Sequence, residues 1–476
     1  MPGLPVSRPC PVTNTPAFNT LPLAPAMQAN LVELGYTSLT PIQAESLPAI
    51  LAGQDVIAQA KTGSGKTAAF GIGLLQALNV RQFAVQALVL CPTRELADQV
   101  AKELRRLARC IDNTKILTLC GGIPMGPQLG SLEHGAHIIV GTPGRVLKHL
   151  QKKSLSLASL KTLVLDEADR MLDMGFHDSI VAVLQHAPAQ RQTLLFSATY
   201  PEEIRALSKQ FQRNPVTVTV EALHADTQIE QAFFEVDKKQ KTQAVIALLQ
   251  HYRPDSTVLF CNTKQDCANL AGQLRAAGFH AQALHGDLEQ RERDQVLLQF
   301  ANRSCPLLVA TDVAARGLDI KDLAAVINVD IAFEPEVHIH RIGRTGRAGQ
   351  QGLALTLCAP AEMHRANAIE DYLQQQAGNT EKLSWRDVPA AGEGIIPPPA
   401  MATLNIAGGK KDKLRPGDIL GALTGDAGFT AAQIGKIDIF GTQAYVAVDY
   451  RIASSALSKL QAGKIKGRNF RVRLLD

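Results

Sequence analysis

Short apolar runs, each leading into a polar motif and then a segment of helical pattern, recur through most of this chain. "DVIAQA" leads into "KTGSGKT", "QALVLC" into "PTRELADQVAKELRRL" and "HIIV" into "TPGRVLKHLQ", while "TLVLDEADRML" and "QTLLFSATYPEEIRALSKQF" repeat the rhythm. Apolar runs without polar alternation suit strands buried on both faces. The pattern predicts an α/β fold: a parallel sheet covered by helices, with the polar motifs at the strand C-termini, where such sheets bind ligands. A polar break at about 214–226 ends this unit. A second unit of the same grammar follows in "STVLFCN", "AQALHG", "PLLVATD", "AAVINVD" and "LALTLCA", with no phosphate loop of its own. Two such lobes, one of them lacking the loop, suggest a site completed across a cleft.

Beyond the Pro/Gly/Ala stretch "DVPAAGEGIIPPPA", which reads as linker, the order changes. "MATLNIA", "PGDILGALTG", "IGKIDIF", "QAYVAVDY", "ASSALSKLQ" and "NFRVRLL" give βαββαβ, the split topology of RNA-recognition modules. Charge sets this region apart. Residues 401–476 hold twelve Lys and Arg against six Asp, a net +6, so the rest of the +5 chain is near −1. That concentration points to a polyanion-binding module. The other bulk features are those of an ordinary soluble protein. The 476 residues are 46% hydrophobic and 20% charged, enough for about three cores at roughly 150 residues per domain. The eight cysteines form no C-x-x-C pair and read as reduced core thiols. No apolar run reaches membrane-spanning length, and prolines interrupt the N-terminus where a signal peptide needs continuity, so a cytoplasmic protein without a membrane partner is expected. Residues 1–17 carry no motif and are expected to be disordered.

"AKTGSGKT" fits the phosphate-loop pattern from Ala60 through Lys61, Thr62, Gly63, Ser64, Gly65, Lys66 and Thr67. Gly63 and Gly65 let the backbone turn tightly around phosphate oxygens, Lys66 can reach the β and γ phosphates, and the Thr67 hydroxyl can hold Mg²⁺. In "LVLDEAD", Asp166 stands where a strand-end carboxylate holds Mg²⁺ through water, and Glu167 is placed to orient and deprotonate the attacking water. Either motif alone is a modest signal. Together, with a strand before each, they specify a nucleoside triphosphatase.

With Phe18, "GYTSLTPIQ" to Gln43, "PTRELA", Gly121-Gly122, "TPGR", "SAT", "VLFCN", Gln290 with Arg293, "ATDVAARGLD" and "HRIGRTGR" in this order, the chain resembles the DEAD-box ATP-dependent RNA helicases of superfamily 2. The resemblance covers roughly residues 18–375. It implies RecA-like lobes at 18–218 and 226–376, a linker at 377–400 and an RNA-binding domain at 401–476. It also implies ATP and Mg²⁺ as ligands. Phe18 would stack on adenine, Gln43 would read its edge, and Gly317 and Asp319 would lie at the nucleotide, with Asp319 on the ribose. Arg344 and Arg347 would be arginine fingers, and His340 would couple to Asp169, Ser197 and Thr199. RNA would be held by its backbone at Pro92, Thr93, Arg94, Gly122, Thr142, Pro143, Arg145, Asn262, Gln290, Arg293 and Thr311, a chemistry of hydroxyls, small residues and arginines.

The tail resembles the C-terminal RNA-binding domain of a bacterial branch of this family, one that recognises a 23S ribosomal RNA hairpin near the peptidyl-transferase centre. This implies unwinding of short duplexes, local and without processive translocation, on precursors of the 50S subunit, with no obligate protein partner. The stacking positions of the first and third tail strands hold Asn405 and Gln443, with Tyr445 the remaining aromatic, so recognition is expected to lean on Lys410, Lys411, Lys464, Lys466 and Arg468, with Asn469 a further candidate. Two other classes stand beside the helicase. An ATP-gated clamp that grips RNA as a scaffold would turn over slowly, and a DNA repair motor would respond to DNA.

Overall fold

The computed structural model describes residues 17–60, 63–220, 229–315, 323–346, 351–377, 382–390, 392 and 396–475. The expected disordered N-terminus falls outside these residues except for Ala17, as do Lys61, Thr62, Gly317, Asp319 and Arg347.

The first lobe contains strands β1 (Val56–Gln59), β2 (Ala87–Leu90), β3 (Ile116–Leu119), β4 (Ile138–Gly141), β5 (Thr162–Asp166), β6 (Gln192–Ser197) and β7 (Val216–Thr219). They form one parallel sheet in the order β3-β4-β2-β5-β6-β1-β7. Because side chains alternate across a strand, each strand feeds two cores. Val56, Ala58, Val164, Leu194 and Phe196 pack with Ile42, Leu47, Phe70, Val100 and Leu104 on one face. Ile57, Leu163, Leu165 and Leu195 pack with Val146, Ile180, Val183 and Ile204 on the other. The sheet is therefore buried on both sides, as the continuous apolar runs require.

The second lobe contains β8 (Ile229–Glu235), β9 (Thr257–Cys261), β10 (Ala281–Leu284), β11 (Leu307–Thr311), β12 (Ala325–Asn328) and β13 (Gly352–Cys358), a parallel sheet ordered β10-β11-β9-β12-β13-β8. Three strands escape the sequence pattern. β7, "VTVT", lies within the segment read as a polar break, and β3 and β8 carry polar residues inside the run. All three are sheet edges, where one flank is open and an all-apolar sequence is not needed.

The tail contains β14 (Met401–Ile406), β15 (Ile434–Ile439), β16 (Ala444–Asp449) and β17 (Val472–Leu475), an antiparallel sheet ordered β15-β16-β14-β17. Helices at Pro416–Gly421 and Ala453–Ala462 complete the βαββαβ order, and Leu404, Ile406, Val446 and Val448 pack against them. The tail and the second lobe fall in one compact unit.

Candidate nucleotide and RNA site

Six motifs of the first lobe follow strand C-termini, and the strand order sorts them; the segment at Gln43 instead precedes β1. The phosphate loop follows β1, "DEAD" β5 and "SAT" β6, three adjacent strands about 4.8 Å apart. "PTRELA", "TPGR" and Gly121-Gly122 follow β2, β4 and β3, on the other half of the same edge. The topology thus gives the triphosphate residues one end of the sheet and the sugar-phosphate candidates the other.

At the triphosphate end, Gly63 (φ 87°) and Gly65 (φ 94°) hold left-handed backbone, and Gly65 precedes the helix Lys66–Gln76. Lys66 is buried, and its Nζ donates to the Ala60 carbonyl at 2.8 Å. Ser64 and Thr67 are half-buried beside it. Gln43 reaches this loop from the helix Pro41–Leu51. Its Oε1 accepts from the Thr40 N–H at 2.9 Å, its Nε2 donates to the Gly65 carbonyl at 3.1 Å, and a Cβ on Gly65 would stand 2.5 Å from that nitrogen. These bonds leave one amide N–H and one lone pair of Gln43 unused, on a residue only 2% exposed. Phe18 packs edge-on against Tyr36, with centroids 5.8 Å apart, and is only 5% exposed. It anchors the chain entering this lobe and leaves little ring face for stacking on adenine.

Asp166 and Glu167 are both buried. Burial pushes the Asp166 carboxyl up to about 7, against the pull of Lys66 and with the Glu167 charge adding to the rise. Glu167 is held at φ 53°, a left-handed conformation that costs a residue with a side chain about 1–3 kcal/mol. Its carboxylate pairs with Arg170 at 3.2 Å. Asp169 is the structural link to "SAT". Its Oδ2 accepts from the N–H groups of Ala198 (3.1 Å) and Thr199 (2.9 Å) and from the Thr199 hydroxyl (3.1 Å), while its N–H donates to Ser197 Oγ at 3.2 Å. Burial alone would raise the Asp169 carboxyl, but these donors, with Lys66 and Arg170 nearby, hold it below its ordinary value. The coupling set Asp169, Ser197 and Thr199 is therefore assembled within one lobe; His340 belongs to the second lobe, on the helix Pro335–Ile342.

At the other end, Pro92 leads into Thr93, whose hydroxyl accepts from the Leu96 N–H and caps the helix that begins at Arg94. Thr142 and Pro143 open the helix Pro143–Gln151. Arg145 is not loose: it donates to Gln128 Oε1 at 3.0 Å and to the Ile123 carbonyl at 2.8 Å. Gln128 in turn donates to the Cys120 carbonyl at 3.0 Å and lies 3.0 Å from His149 Nε2. This buried glutamine, which the sequence reading passes over, ties "TPGR" to the loop at Gly122, whose φ is 75°. Its one sequence signal is a polar residue on the inner side of a short helix.

In the second lobe Thr311 ends β11, and Gln290 and Arg293 lie on the first turn of the helix Gln290–Ala301, where Gln290 donates to Asp294 at 2.8 Å. Asn262 stands at the end of β9 with its amide engaged: Nδ2 donates to the Ile331 carbonyl at 3.0 Å and Oδ1 accepts from Arg341 at 2.9 Å. It braces strand ends while remaining half-buried. The brace centres on Arg341, a second residue passed over, which also donates to Asp312 and to the Asp330 carbonyl. Arg344, three residues further on, is buried.

The tail packs its sheet against the second lobe. Tyr445, the remaining aromatic on the sheet face, is 7% exposed and clusters with Leu475 and with Leu298 of the second lobe. Its hydroxyl donates to Gln443 at 2.7 Å, and nearby Ser304 and Thr403 share a hydrogen bond of 2.7 Å. This face of the tail sheet is a docking face, so Tyr445 is not open to a base. Asn405 beside it is buried and accepts from Arg473. By contrast Lys410, Lys411, Lys464, Lys466 and Arg468 are exposed, although Lys466 also donates to the Lys413 carbonyl at 2.8 Å.

Comparison with known proteins agrees with this geometry. Residues 40–207 match the DEAD/DEAH box helicase family, 240–349 the helicase conserved C-terminal domain and 403–474 the DbpA RNA binding domain. The ATP-dependent RNA helicase DbpA of Escherichia coli is 59% identical over 96% of this chain and 99% of its own length. The DEAD-box ATP-dependent RNA helicase CshA of Geobacillus kaustophilus is 44% identical over 74% of this chain and 76% of its own. Among solved structures, S. cerevisiae Dbp5 bound to RNA and ADP BeF3 superimposes with a TM-score of 0.70 at 30% identity, covering 78% of this chain and 96% of Dbp5. The chain belongs to the DEAD-box ATP-dependent RNA helicases, enzymes that hydrolyse ATP, and carries the RNA-binding domain of their DbpA branch.

Proposed function

We propose that the chain couples ATP hydrolysis to local, non-processive opening of short RNA duplexes, and that its tail directs this activity to a 23S ribosomal RNA hairpin during assembly of the 50S subunit in the cytoplasm. The observation that carries the targeting is the exposure of Lys410, Lys411, Lys464 and Arg468 on a tail whose sheet face is already covered. With Tyr445 covered, charge and RNA shape lead recognition. Among the described residues no helix is long and apolar enough to cross a membrane.

For hydrolysis, Lys66 moves from the Ala60 carbonyl to the phosphates, and Glu167 orients and deprotonates water. Asp166 at the end of β5 and the Thr67 hydroxyl at the start of the helix after β1, on the same sheet edge with β6 between their strands, are hard oxygen donors that would suit Mg²⁺. When bound, the cation neutralises charge on the transferring phosphoryl group. Arg344 and Arg347 add charge to the same group. Asp169 passes any shift of "DEAD" to residues 197–199 through its bonds to them, and Gln128 binds the Arg145 and Gly122 loops into one surface for the RNA backbone.

The test is ATP turnover by the full chain with no RNA, bulk RNA, single-stranded DNA and the ribosomal hairpin fragment, repeated with K464E/R468E. Stimulation strongest with the hairpin and lost in that variant is expected. Equal stimulation by every RNA, unchanged in the variant, sinks the targeting. Stimulation by DNA sinks the RNA specificity, and negligible turnover with any RNA points to an ATP-gated clamp.

A further inference from the structure

We propose that Phe440, with the Lys410–Lys411 turn, forms a site for one unpaired RNA base and its flanking phosphates at the rim of the tail sheet, an inference that rests on the tail's role as an RNA-targeting element. Pairing across the sheet places Asp438 opposite Tyr445, Tyr445 opposite Asn405 and Asn405 opposite Arg473, one row on the docking face. Phe440 lies two residues beyond Asp438, so it continues this face, but past the part that Leu298 covers. It is 45% exposed at the base of the β15–β16 hairpin turn, just before the tip residues Gly441 and Thr442, where a phenyl ring gains little from burial.

The ring is exposed but not loose. It meets Tyr445 edge-to-face, with centroids 5.6 Å apart and an interplanar angle of 84°. That geometry covers at most one face of Phe440 and leaves the other for a planar ligand. The Phe440 N–H donates to the Gln443 carbonyl at 2.8 Å, so the backbone beneath the ring is closed.

The two lysines belong to the same rigid piece. The Lys410 N–H donates to the Phe440 carbonyl at 2.8 Å, and the Lys411 N–H donates to the Gly441 carbonyl at 2.9 Å. This approach requires glycine at 409, since a Cβ there would stand 2.4 Å from the Phe440 carbonyl oxygen. Neighbouring carboxylates have partners already: Asp412 accepts from the Gly409 N–H at 2.9 Å, and Asp438 pairs with Lys436 at 3.1 Å. What projects is a flat π surface with two ammonium groups hinged to its backbone. Stacking plus phosphate contact is the chemistry by which proteins take an unpaired nucleotide.

The experiment measures binding of the full chain to the ribosomal hairpin, with its unpaired loop, and to a blunt duplex of the same stem. It compares the parent with F440L, F440W and K410Q/K411Q. Leucine keeps an apolar side chain against Tyr445 but has no π face; tryptophan restores one. F440L is expected to weaken hairpin binding about five- to fifty-fold, as loss of one stacked base would. F440W should bind like the parent, and duplex affinity should change less than about two-fold in F440L. K410Q/K411Q should weaken both RNAs and lower the slope of log affinity against log salt by about one to two. Hairpin affinity of F440L equal to that of the parent overturns the site, as does equal loss in F440L and F440W, which would make Phe440 a packing residue only. If the parent itself fails to prefer the hairpin, the targeting falls, while the F440L comparison on the hairpin still decides the site.

Discussion

Arg341 holds Asp312 through two bonds of 2.7 Å, Nε to Oδ1 and Nη2 to Oδ2, with 2% of the arginine exposed. The same guanidinium donates to the Asp330 carbonyl and to Asn262, so the ends of β9, β11 and β12 are fixed by one side chain. Asp330 is held from the other side by Lys241, which also pairs with Glu362. The residues just after β11 and the helix bearing His340 are thereby held in one arrangement.

Arg341→Lys keeps the charge and loses the fork. An ammonium cannot make two parallel bonds to Asp312 while reaching Asn262 and Asp330, so a half-buried carboxylate and a carbonyl lose donors. The expected cost is about 2–4 kcal/mol in the second lobe, read as a lower urea midpoint. The chain's single tryptophan, Trp385, packs against Phe233 of that lobe at 5.5 Å and supplies the fluorescence signal. A midpoint unchanged from the parent would show that the network adds no stability.

Gln43, which the family resemblance assigns to reading the adenine edge, also touches the phosphate loop. Gln43→Glu retains the acceptor that caps the Thr40 N–H and sets a carboxylate against the Gly65 carbonyl. KM for ATP should rise about ten-fold, with GTP use little altered, so that the preference for ATP narrows. Steady-state kinetics with both nucleotides checks this; an unchanged ATP to GTP ratio would remove Gln43 from base selection.

The parallel sheets were legible because strands buried on both faces must be written in apolar residues, as "VIAQ", "ALVL" and "TLVLD" are. Edge strands carry no such demand, which is why "VTVT" at 216–219 and "IEQAFFE" at 229–235 escaped. The triphosphate residues were legible for a similar reason: a tight phosphate loop restricts the residue types at Gly63, Gly65, Lys66 and Thr67. Gln128 and Arg341 act through other protein groups, and many sequences could supply such a brace, so position in space alone reveals them. Tyr445 shows the converse. Its residue type fits a stacking role, but Leu298, distant in sequence, covers it.

His338 gives the second lobe a pH dependence. It is fully buried with neither ring nitrogen hydrogen-bonded, lies 5.7 Å from Phe233, and is driven down to about 3 by burial and then by the Arg341 charge. Between its unfolded value near 6.5 and about 3, the unfolded chain binds a proton that the folded chain refuses. Stability therefore falls as pH drops through this window, by up to about 1.4 kcal/mol per pH unit from this group. His338→Phe should flatten the slope of urea stability against pH between about 6.5 and 4.5 by close to one proton. An identical slope in the variant would mean that His338 is protonated in the fold.

Tyr445 and Phe440 touch, yet they are assigned opposite roles, and one substitution separates them. Tyr445→Leu keeps an apolar side chain between Leu298 and Leu475 but removes both the ring and the hydroxyl that donates to Gln443. If Tyr445 serves docking, the loss is about 1–2 kcal/mol of tail stability, seen as faster proteolysis near the 377–400 linker, with hairpin affinity within about two-fold of the parent. Ten-fold weaker hairpin binding at unchanged proteolysis would instead mean that the tail lifts from Leu298 to bind RNA, exposing Tyr445 as a stacking surface. The docked sheet would then be a resting arrangement, and the basic rim alone would not account for recognition.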